Sequence, residues 1–353
     1  MTRSTHNVWL HRFACVLALT TLTLVALGGV VTTKGVGMAV PDWPTTYGEN
    51  MFLFPPSKWV GGIFYEHTHR LLASWVGMLT IVLTVWLWLK ESRRWLRWLG
   101  VVALVGVVLQ GVLGGMRVIF DEHGLGTEFG IFHAALAQLY FLLICSIAFF
   151  TSRWWGRGEV RELTAANALA VRRWFAVTCV LILVQLIFGA TMRHQHAGLA
   201  VPDFPLAYGK VWPATDAASV QFYNAHRMEA AGEQPITAPH IVVHMLHRFT
   251  GVVLLFAIIG CAVVAWKRSA AGSLLRKVSL FWVGLALVQV TLGILSILFQ
   301  RKADVTTAHV ALGALTFATG WMLVLIASRF VAQTASVTAR DAALSPASEF
   351  KHA

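Results

Sequence analysis

The chain has 353 residues, of which 57% are hydrophobic and only 12% are charged, and its mean hydropathy is +0.67. A soluble fold needs more polar surface than this composition supplies, so the sequence predicts an integral membrane protein. The formal net charge of +12 would suggest a nucleic-acid ligand in a soluble protein, but the distribution of the positive residues indicates otherwise.

Eight apolar runs are long enough, at roughly 20 residues each, to cross about 30 Å of hydrocarbon. In chain order they lie near residues 10–33, 66–89, 95–118, 130–150, 174–193, 241–266, 277–299 and 307–329. Most lysines and arginines lie before the first run, after the last, or in the segments that follow the second, fourth and sixth runs. By the positive-inside rule these segments, and both termini, face the cytoplasm. The basic excess therefore reports membrane topology, and no nucleic-acid partner is expected.

The chain also contains an internal repeat. Residues 37–48, GMAVPDWPTTYG, return as residues 198–209, GLAVPDFPLAYG. The His69-Arg70 pair returns as His247-Arg248, and His133 returns as His309, each in the corresponding apolar run. The repeat unit is therefore four helices.

This repeat sets the predicted organisation. Residues 1–160 form an N-terminal half, residues 161–335 a C-terminal half, and residues 336–353 a cytoplasmic tail. Because four spans return the chain to its starting side, a pseudo-two-fold axis along the membrane normal should relate the two four-helix bundles. The first run could be a signal peptide on its own, but its counterpart, the fifth run, must span, so the first is predicted to be a retained helix.

The repeated twelve-residue elements lie in two long outer loops, near residues 34–64 and 194–239. Each element has a Pro-Asp-aromatic-Pro core, with Trp43 in the first and Phe204 in the second. Proline restricts the backbone, and aromatic side chains suit the membrane interface. These loops are predicted to fold over the outer ends of the bundles as lids, with ordinary interfacial turns as the alternative.

Four histidines within spanning segments are the main functional candidates, because ionisable groups there are costly. They are His69, His133, His247 and His309. Each lies near the outer start of an even-numbered helix, so the second and fourth helices of each half can present two facing imidazoles. Such a pair suits a six-coordinate haem iron. A metal without porphyrin is disfavoured, since the repeated positions supply no carboxylate or thiolate cluster.

The residues around two of these ligands suggest further roles. Arg70 and Arg248 directly follow a predicted ligand and could reach haem propionates or, equally, lipid phosphate. Glu66 precedes His69 by three residues and shares its helix face, whereas the second half has His244 at that position. A carboxyl group over the same porphyrin could donate a proton or stabilise positive charge. The alternative is a residue at the helix start that faces water.

With these motifs the sequence resembles the heme A synthase family, membrane enzymes of bacteria and mitochondria that convert haem O to haem A for cytochrome oxidase. The resemblance covers residues 10–330. It is carried by the duplicated four-helix plan, the Glu66-x-x-His69-Arg70 element, His133, the His247-Arg248 pair and His309.

The resemblance implies that His247 and His309 hold a permanent haem b, while His69 and His133 bind the substrate haem O. The C8 methyl group would be oxidised in successive steps to a formyl group, and Glu66 matches a family glutamate needed for that chemistry. It further implies a bacterial cytoplasmic (inner) membrane location, membrane lipid, haem O synthase and an electron donor as partners, and compatibility with a homo-oligomer. Some members carry a cysteine pair in the first outer loop, but residues 34–64 contain none, which excludes thiol chemistry there.

Two other classes of protein share part of this pattern. A cytochrome b that only transfers electrons explains the four histidines but gives no role to Glu66, and its haems would normally lie at two depths. A transporter built from repeats would show broken helices and polar groups at mid-membrane. The even-numbered runs are instead nearly continuous and apolar after their histidines.

Overall fold

A computed structural model describes residues 7–156, 163–227 and 235–344, and the described chain is helical, without extended strands. Its helices are α1 (Val8–Thr33), α2 (Gly61–Lys90), α3 (Arg94–Ile119), α4 (Gly126–Phe150), α5 (Arg153–Gly156), α6 (Ala165–His194), α7 (Ala217–His226), α8 (Ala238–Arg268), α9 (Leu274–Leu298) and α10 (Ala303–Leu344). Short 3₁₀ turns span Pro56–Lys58 and Ala197–Leu199. All helices except α5 and α7 are long and apolar enough to cross a membrane, eight in total among the described residues. The predicted all-α, multi-pass membrane fold is confirmed.

Several helices begin before the predicted apolar runs. Helix α2 starts at Gly61 rather than near residue 66, and α6 starts at Ala165 rather than near residue 174. The extra turns of α6 contain Asn167, Arg172 and Arg173, which a helix leaving the hydrocarbon tolerates, whereas the extra residues 61–65 of α2, GGIFY, begin with two glycines and are otherwise apolar or aromatic. At the start of α6, the Thr164 side chain accepts a hydrogen bond from the amide of Asn167 and caps the helix. As a consequence, Glu66 lies in the second turn of α2 and not at its start.

Helices α1–α4 form the first half, and α6, α8, α9 and α10 form the second. Between the halves, α1 packs against α10 and α4 packs against α6. A two-fold axis would pair the helices in this way, because α6 corresponds to α1 and α10 to α4; the axis itself stays a prediction. The predicted boundary at 160/161 lies outside the described residues, as do residues 345–353 of the predicted tail, while α10 continues to Leu344.

Close packing joins the helices, as is typical where lipid removes the hydrophobic drive between them. Trp282 is fully buried, and its indole N–H donates to the Thr316 carbonyl at 2.7 Å. Gly320 provides the space for that ring. Across the interface between the halves, the indole N–H of Trp321 in α10 donates to the Ser146 hydroxyl in α4 at 2.9 Å. The two bundles are thus joined by direct side-chain contacts.

The repeated element folds alike in both outer loops. The Asp42 carboxylate accepts from the Tyr47 amide at 2.7 Å, and the Asp203 carboxylate accepts from the Tyr208 amide at 2.9 Å. Both tyrosines have a φ of 51°. The shared twelve-residue sequence therefore encodes a shared turn, so these segments are more than ordinary connectors.

Candidate functional site

The four histidines lie on α2, α4, α8 and α10, each within about the first three turns of its helix. The imidazoles of His247 and His309 face each other with ring centroids 6.4 Å apart and planes inclined at 70°. His69 and His133 are close enough to interact electrostatically. All four rings are partly buried. The structure therefore brings together the members of each predicted pair.

The donor set of these pairs fits a haem iron. Two imidazole nitrogens on opposite sides of one metal, each roughly 2 Å from it, place the ring centroids roughly 6 Å apart. The separation of 6.4 Å between His247 and His309 agrees with this arrangement. Within the described residues, no three His, Cys, Asp or Glu side chains are grouped so as to hold a metal ion alone. Two imidazoles suit a metal whose remaining ligands come from a porphyrin.

Each histidine ring packs against a glycine on another helix of its half. A Cβ at Gly28, Gly189 or Gly293 would lie 3.1 Å from Cε1 of His69, His247 or His309, and one at Gly114 would lie 3.4 Å from Cε1 of His133. These glycines lie on α1, α6, α9 and α3. The glycines were not predicted, although they recur at corresponding places in both halves, and that recurrence was the signal in the sequence.

Hydrogen bonds orient one histidine of each pair. Nδ1 of His133 lies 3.1 Å from the Gln110 carbonyl, and Nδ1 of His309 lies 3.0 Å from the Gln289 carbonyl. With the proton on Nδ1 donated to a carbonyl, Nε2 keeps the lone pair that a metal takes. The Gln289 side-chain amide is 3.5 Å from that Nε2. The repeated glutamine thus corresponds to an orienting contact in both halves.

The other histidine of each pair lacks this anchor. Nδ1 of His69 is buried and makes no hydrogen bond within the described chain. Nδ1 of His247 faces the backbone of Gln185 without the geometry of a hydrogen bond. The Gln185 side chain instead donates to the His247 carbonyl at 2.9 Å. Each pair therefore combines one imidazole held by a hydrogen bond with one held by packing against a glycine alone.

Glu66 is buried, with only 3% of its surface exposed. One carboxylate oxygen accepts from Arg70 Nη2 at 2.6 Å, and the other accepts from the Val40 amide of the first outer loop at 2.8 Å. The alternative of a residue facing water is therefore wrong. At the equivalent position the buried His244 places Nδ1 3.2 Å from the Ala197 carbonyl. An ion pair in the first half thus corresponds to a contact between a histidine and a backbone carbonyl in the second.

Arg70 and Arg248 hold the outer loops. Arg70 donates to the carbonyls of Val40 and Asp42 at 2.8 and 2.6 Å. Arg248 donates to the equivalent carbonyls of Val201 and Asp203 at 2.8 and 2.7 Å. These contacts support the prediction that the loops fold over the helix ends. The loop carbonyls therefore occupy many of the donors of Arg70 and Arg248. Contact of these two arginines with haem propionates stays a prediction.

The Asp42 turn is also stabilised electrostatically. Burial would raise the pKa of this carboxyl group, but hydrogen bonds from the Gly48 amide, the Thr45 hydroxyl and the Tyr47 amide lower it below the ordinary value. The ring of Trp43 lies against the backbone of Gly115 in α3. The first loop is therefore fixed both to itself and to the bundle below.

Comparison with known proteins identifies the family. The model of the COX15-CtaA family, described as "Cytochrome oxidase assembly protein", matches residues 11–320. The chain is 26% identical over 340 residues to a protein from Lysinibacillus sphaericus named "Heme A synthase", covering 92% of this chain and 97% of that protein. A "Heme A synthase" from Brucella ovis is 27% identical over 345 residues and is covered to 88%, as is this chain. One from Shouchella clausii is 29% identical over 226 residues, covering 63% of this chain and 71% of the relative. The chain, which contains two histidine pairs, therefore belongs to the COX15-CtaA family of cytochrome oxidase assembly proteins.

Proposed function

We propose that the protein is a heme A synthase, which oxidises the C8 methyl group of haem O to a formyl group and so supplies haem A to cytochrome oxidase. The observation that carries this proposal is the facing imidazoles of His247 and His309, together with the neighbouring His69 and His133 of the first half, in a chain of the COX15-CtaA family. Relatives aligned over nearly the whole chain bear the name of this activity.

The two halves receive different porphyrins in this proposal. His69 and His133 ligate the substrate haem O in residues 1–160, and His247 and His309 ligate haem b in residues 161–335. Support comes from the difference at one repeated position, where the first half has the buried carboxylate of Glu66 and the second has His244. A carboxylate beside the substrate has a chemical use, whereas a resident cofactor needs none.

Within the first half, the side chains bind and orient the substrate. The Gln110 carbonyl holds the His133 ring in position, and Gly114 provides space beside it. Glu66 lies one turn before His69 and carries a negative charge held by Arg70. In the proposal this carboxylate receives a proton from the reacting group or stabilises positive charge on the substrate. A haem b bound by His247 and His309 supplies a centre for electron transfer.

Residues 34–60 cover this region from outside, through the hydrogen bonds that Arg70 and Glu66 make with the loop. Exclusion of water protects a partly oxidised substrate and strengthens electrostatic interactions at the site.

We infer a bacterial inner-membrane location with both termini in the cytoplasm, which places the site near the external face. Reporter fusions in residues 153–173 should report a cytoplasmic location and fusions in residues 210–235 an external one; the reverse result contradicts this orientation.

The alternative, a cytochrome b that only transfers electrons, gives the buried Glu66 carboxylate no chemical role beyond attachment of the first outer loop. The transporter alternative requires broken spanning helices, but each described spanning helix is continuous.

The deciding experiment is purification from membranes followed by extraction and identification of the bound porphyrins. Haem B together with haem O or haem A supports the proposal, whereas haem B as the sole porphyrin, with no haem A formed from added haem O, contradicts it.

A further inference from the structure

Three arginines at the outer end of the bundle have no carboxylate partner among the described residues. Arg117 lies in the last turn of α3, Arg193 in the last turn of α6, and Arg301 just after α9. The ion pairs within the described residues involve other side chains, so none of the three has an acidic group within 4 Å there. Partly buried cations without counter-charges are costly, and such groups commonly mark a place where an anion binds.

Arg117 lies beside the histidine pair of the first half. Its charge acts on both His69 and His133, and its guanidinium group packs on Gly37 of the outer loop, where a Cβ would lie 2.8 Å from Nη2. It makes no side-chain hydrogen bond within the described chain. Glu66 is near enough to interact with it, but the Glu66 oxygens already bind Arg70 and the Val40 amide. The donors of Arg117 therefore remain available.

Arg193 and Arg301 continue this arrangement toward the second half. Arg193 Nη2 donates to the Gly29 carbonyl of α1 at 3.2 Å, and its Nε is buried without a hydrogen-bond partner in the described chain. Its charge acts on His309 and on the other two arginines. Arg301 packs on Gly198, the counterpart of Gly37, where a Cβ would lie 3.0 Å from Nε. Arginines thus lie near both histidine pairs and at the same place on each outer loop.

The guanidinium group is suited to carboxylates, because its planar fork can donate two parallel hydrogen bonds. A haem carries two propionate carboxylates on one edge of its ring. The sequence offers Arg70 and Arg248 for these groups, with lipid phosphate as an equal alternative, but their donors are largely taken up by loop carbonyls. Among the three arginines, the donors that remain open within the described chain are the guanidinium of Arg117 and the Nε of Arg193, and Arg301 lies on the second outer loop near Arg193.

We propose that Arg117 binds a propionate of the substrate porphyrin in the first half, and that Arg193 and Arg301 bind those of the porphyrin in the second half. This inference rests on the proposed function, and it adds an orientation. The C8 methyl group shares a pyrrole ring with one of the two propionates, and binding of that propionate at Arg117 would hold the reacting carbon on the side of the site where Glu66 lies. Arg117 is then a positioning residue for the oxidation.

The test measures porphyrin affinity, so it decides the role of Arg117 whether or not haem A forms. Full-length protein carrying its resident haem is placed in nanodiscs and titrated with iron protoporphyrin IX or with its dimethyl ester, which has the same ring but no carboxylates. Arg117→Ala should weaken binding of the diacid by about 10- to 100-fold, the range for a hydrogen bond to a charged group. Binding of the ester should be unchanged.

The control is Lys302→Ala, which removes an exposed positive charge at the same end of the molecule and should change neither affinity. An unaltered spectrum of the resident haem shows that Arg117→Ala is folded, and Arg117→Lys, which keeps the charge without the fork, should fall between wild type and alanine. Equal loss of affinity for diacid and ester, or no loss for either, would overturn the proposal.

For the second half, Arg193→Ala should release the resident haem to apomyoglobin about tenfold faster, and an unchanged rate overturns that part.

Discussion

The two halves share one scaffold but differ in charge at the site. Both have a histidine pair, a glycine beside each ring, a glutamine carbonyl bound to one imidazole, and an outer loop held by an arginine. The first half adds the buried Glu66–Arg70 ion pair, where the second has His244 bound to a carbonyl. The shared features are compatible with a haem in each half, and the proposed division into a substrate half and a cofactor half rests on the difference at Glu66 and His244.

The largest expected effect is the loss of haem b, which should occur in the histidine variants of the second half and not in those of the first. His247→Ala and His309→Ala should each remove the low-spin haem b from purified protein, because one imidazole cannot keep the iron six-coordinate. His69→Ala and His133→Ala should leave that spectrum intact and impair substrate binding. Reduced-minus-oxidised spectra and extraction of bound haem provide the measurement. A normal haem b spectrum in both second-half variants would end the assignment.

The second prediction concerns the charge that distinguishes the halves. Glu66→Gln keeps the shape of the side chain and one acceptor for the Val40 amide, but removes the negative charge. Haem A formation should fall by roughly 10² to 10⁴, the range for loss of a general acid or base, while haem b in the second half is unaffected. Haem O or a partly oxidised product should accumulate in extracts analysed by chromatography.

The matched control is His244→Gln at the equivalent position, which should be much milder. Because Glu66 also fixes the first loop, limited proteolysis of residues 34–60 should accompany the assay, to separate a lost charge from a detached loop. Haem A formed at the wild-type rate by Glu66→Gln would assign this residue to loop attachment alone.

The third prediction tests whether both pairs depend equally on the glycines. Gly189→Ala should reduce affinity for haem b by about tenfold, since the new methyl group would displace the His247 ring by a few tenths of an ångström. Gly28→Ala should do the same to substrate binding through His69. Gly260→Ala and Gly77→Ala are the controls, because a Cβ there meets nothing within 4 Å. Haem titrations of all four variants give the comparison, and equal affinities throughout would show that the ring contacts are incidental.

The repeat made much of this arrangement predictable. Apolar runs predict the eight spans, and repeated sequence motifs predict the histidine pairs and the similarity of the outer loops. Both kinds of pattern can be read from short stretches of sequence. The partners of Arg70 could not be predicted, because backbone carbonyls are the same in every residue and only the folded loop shows which ones are near. Arg117 was not recognised either: it has no counterpart in the repeat alignment, and Arg301 reaches the equivalent place from the connection after α9.

The smallest expected effect is in the first outer loop. Because the pKa of Asp42 in the folded loop lies below its unfolded value of about 3.9, its carboxylate stabilises the turn above about pH 4, and this contribution is lost as the pH falls through the folded pKa. Asp42→Asn should speed hydrogen exchange at the amides of Tyr47 and Gly48 a few-fold at neutral pH. The difference from wild type should disappear in acid. Exchange rates that differ equally at both pH values would assign the effect to shape and not to charge.

The glycines against the imidazoles also have a thermodynamic consequence. A ring confined between a helix backbone and its own helix has already lost most of its rotational freedom in the folded protein, so this entropy is not lost again when a porphyrin binds. Both halves confine their rings in this way, with Cβ positions 3.1 Å from Cε1 of His69 and of His247. In the proposed function, this preorganisation favours porphyrin binding in both halves. Selective release of a product from one half must then arise from contacts at the periphery of the porphyrin and not from the iron ligands.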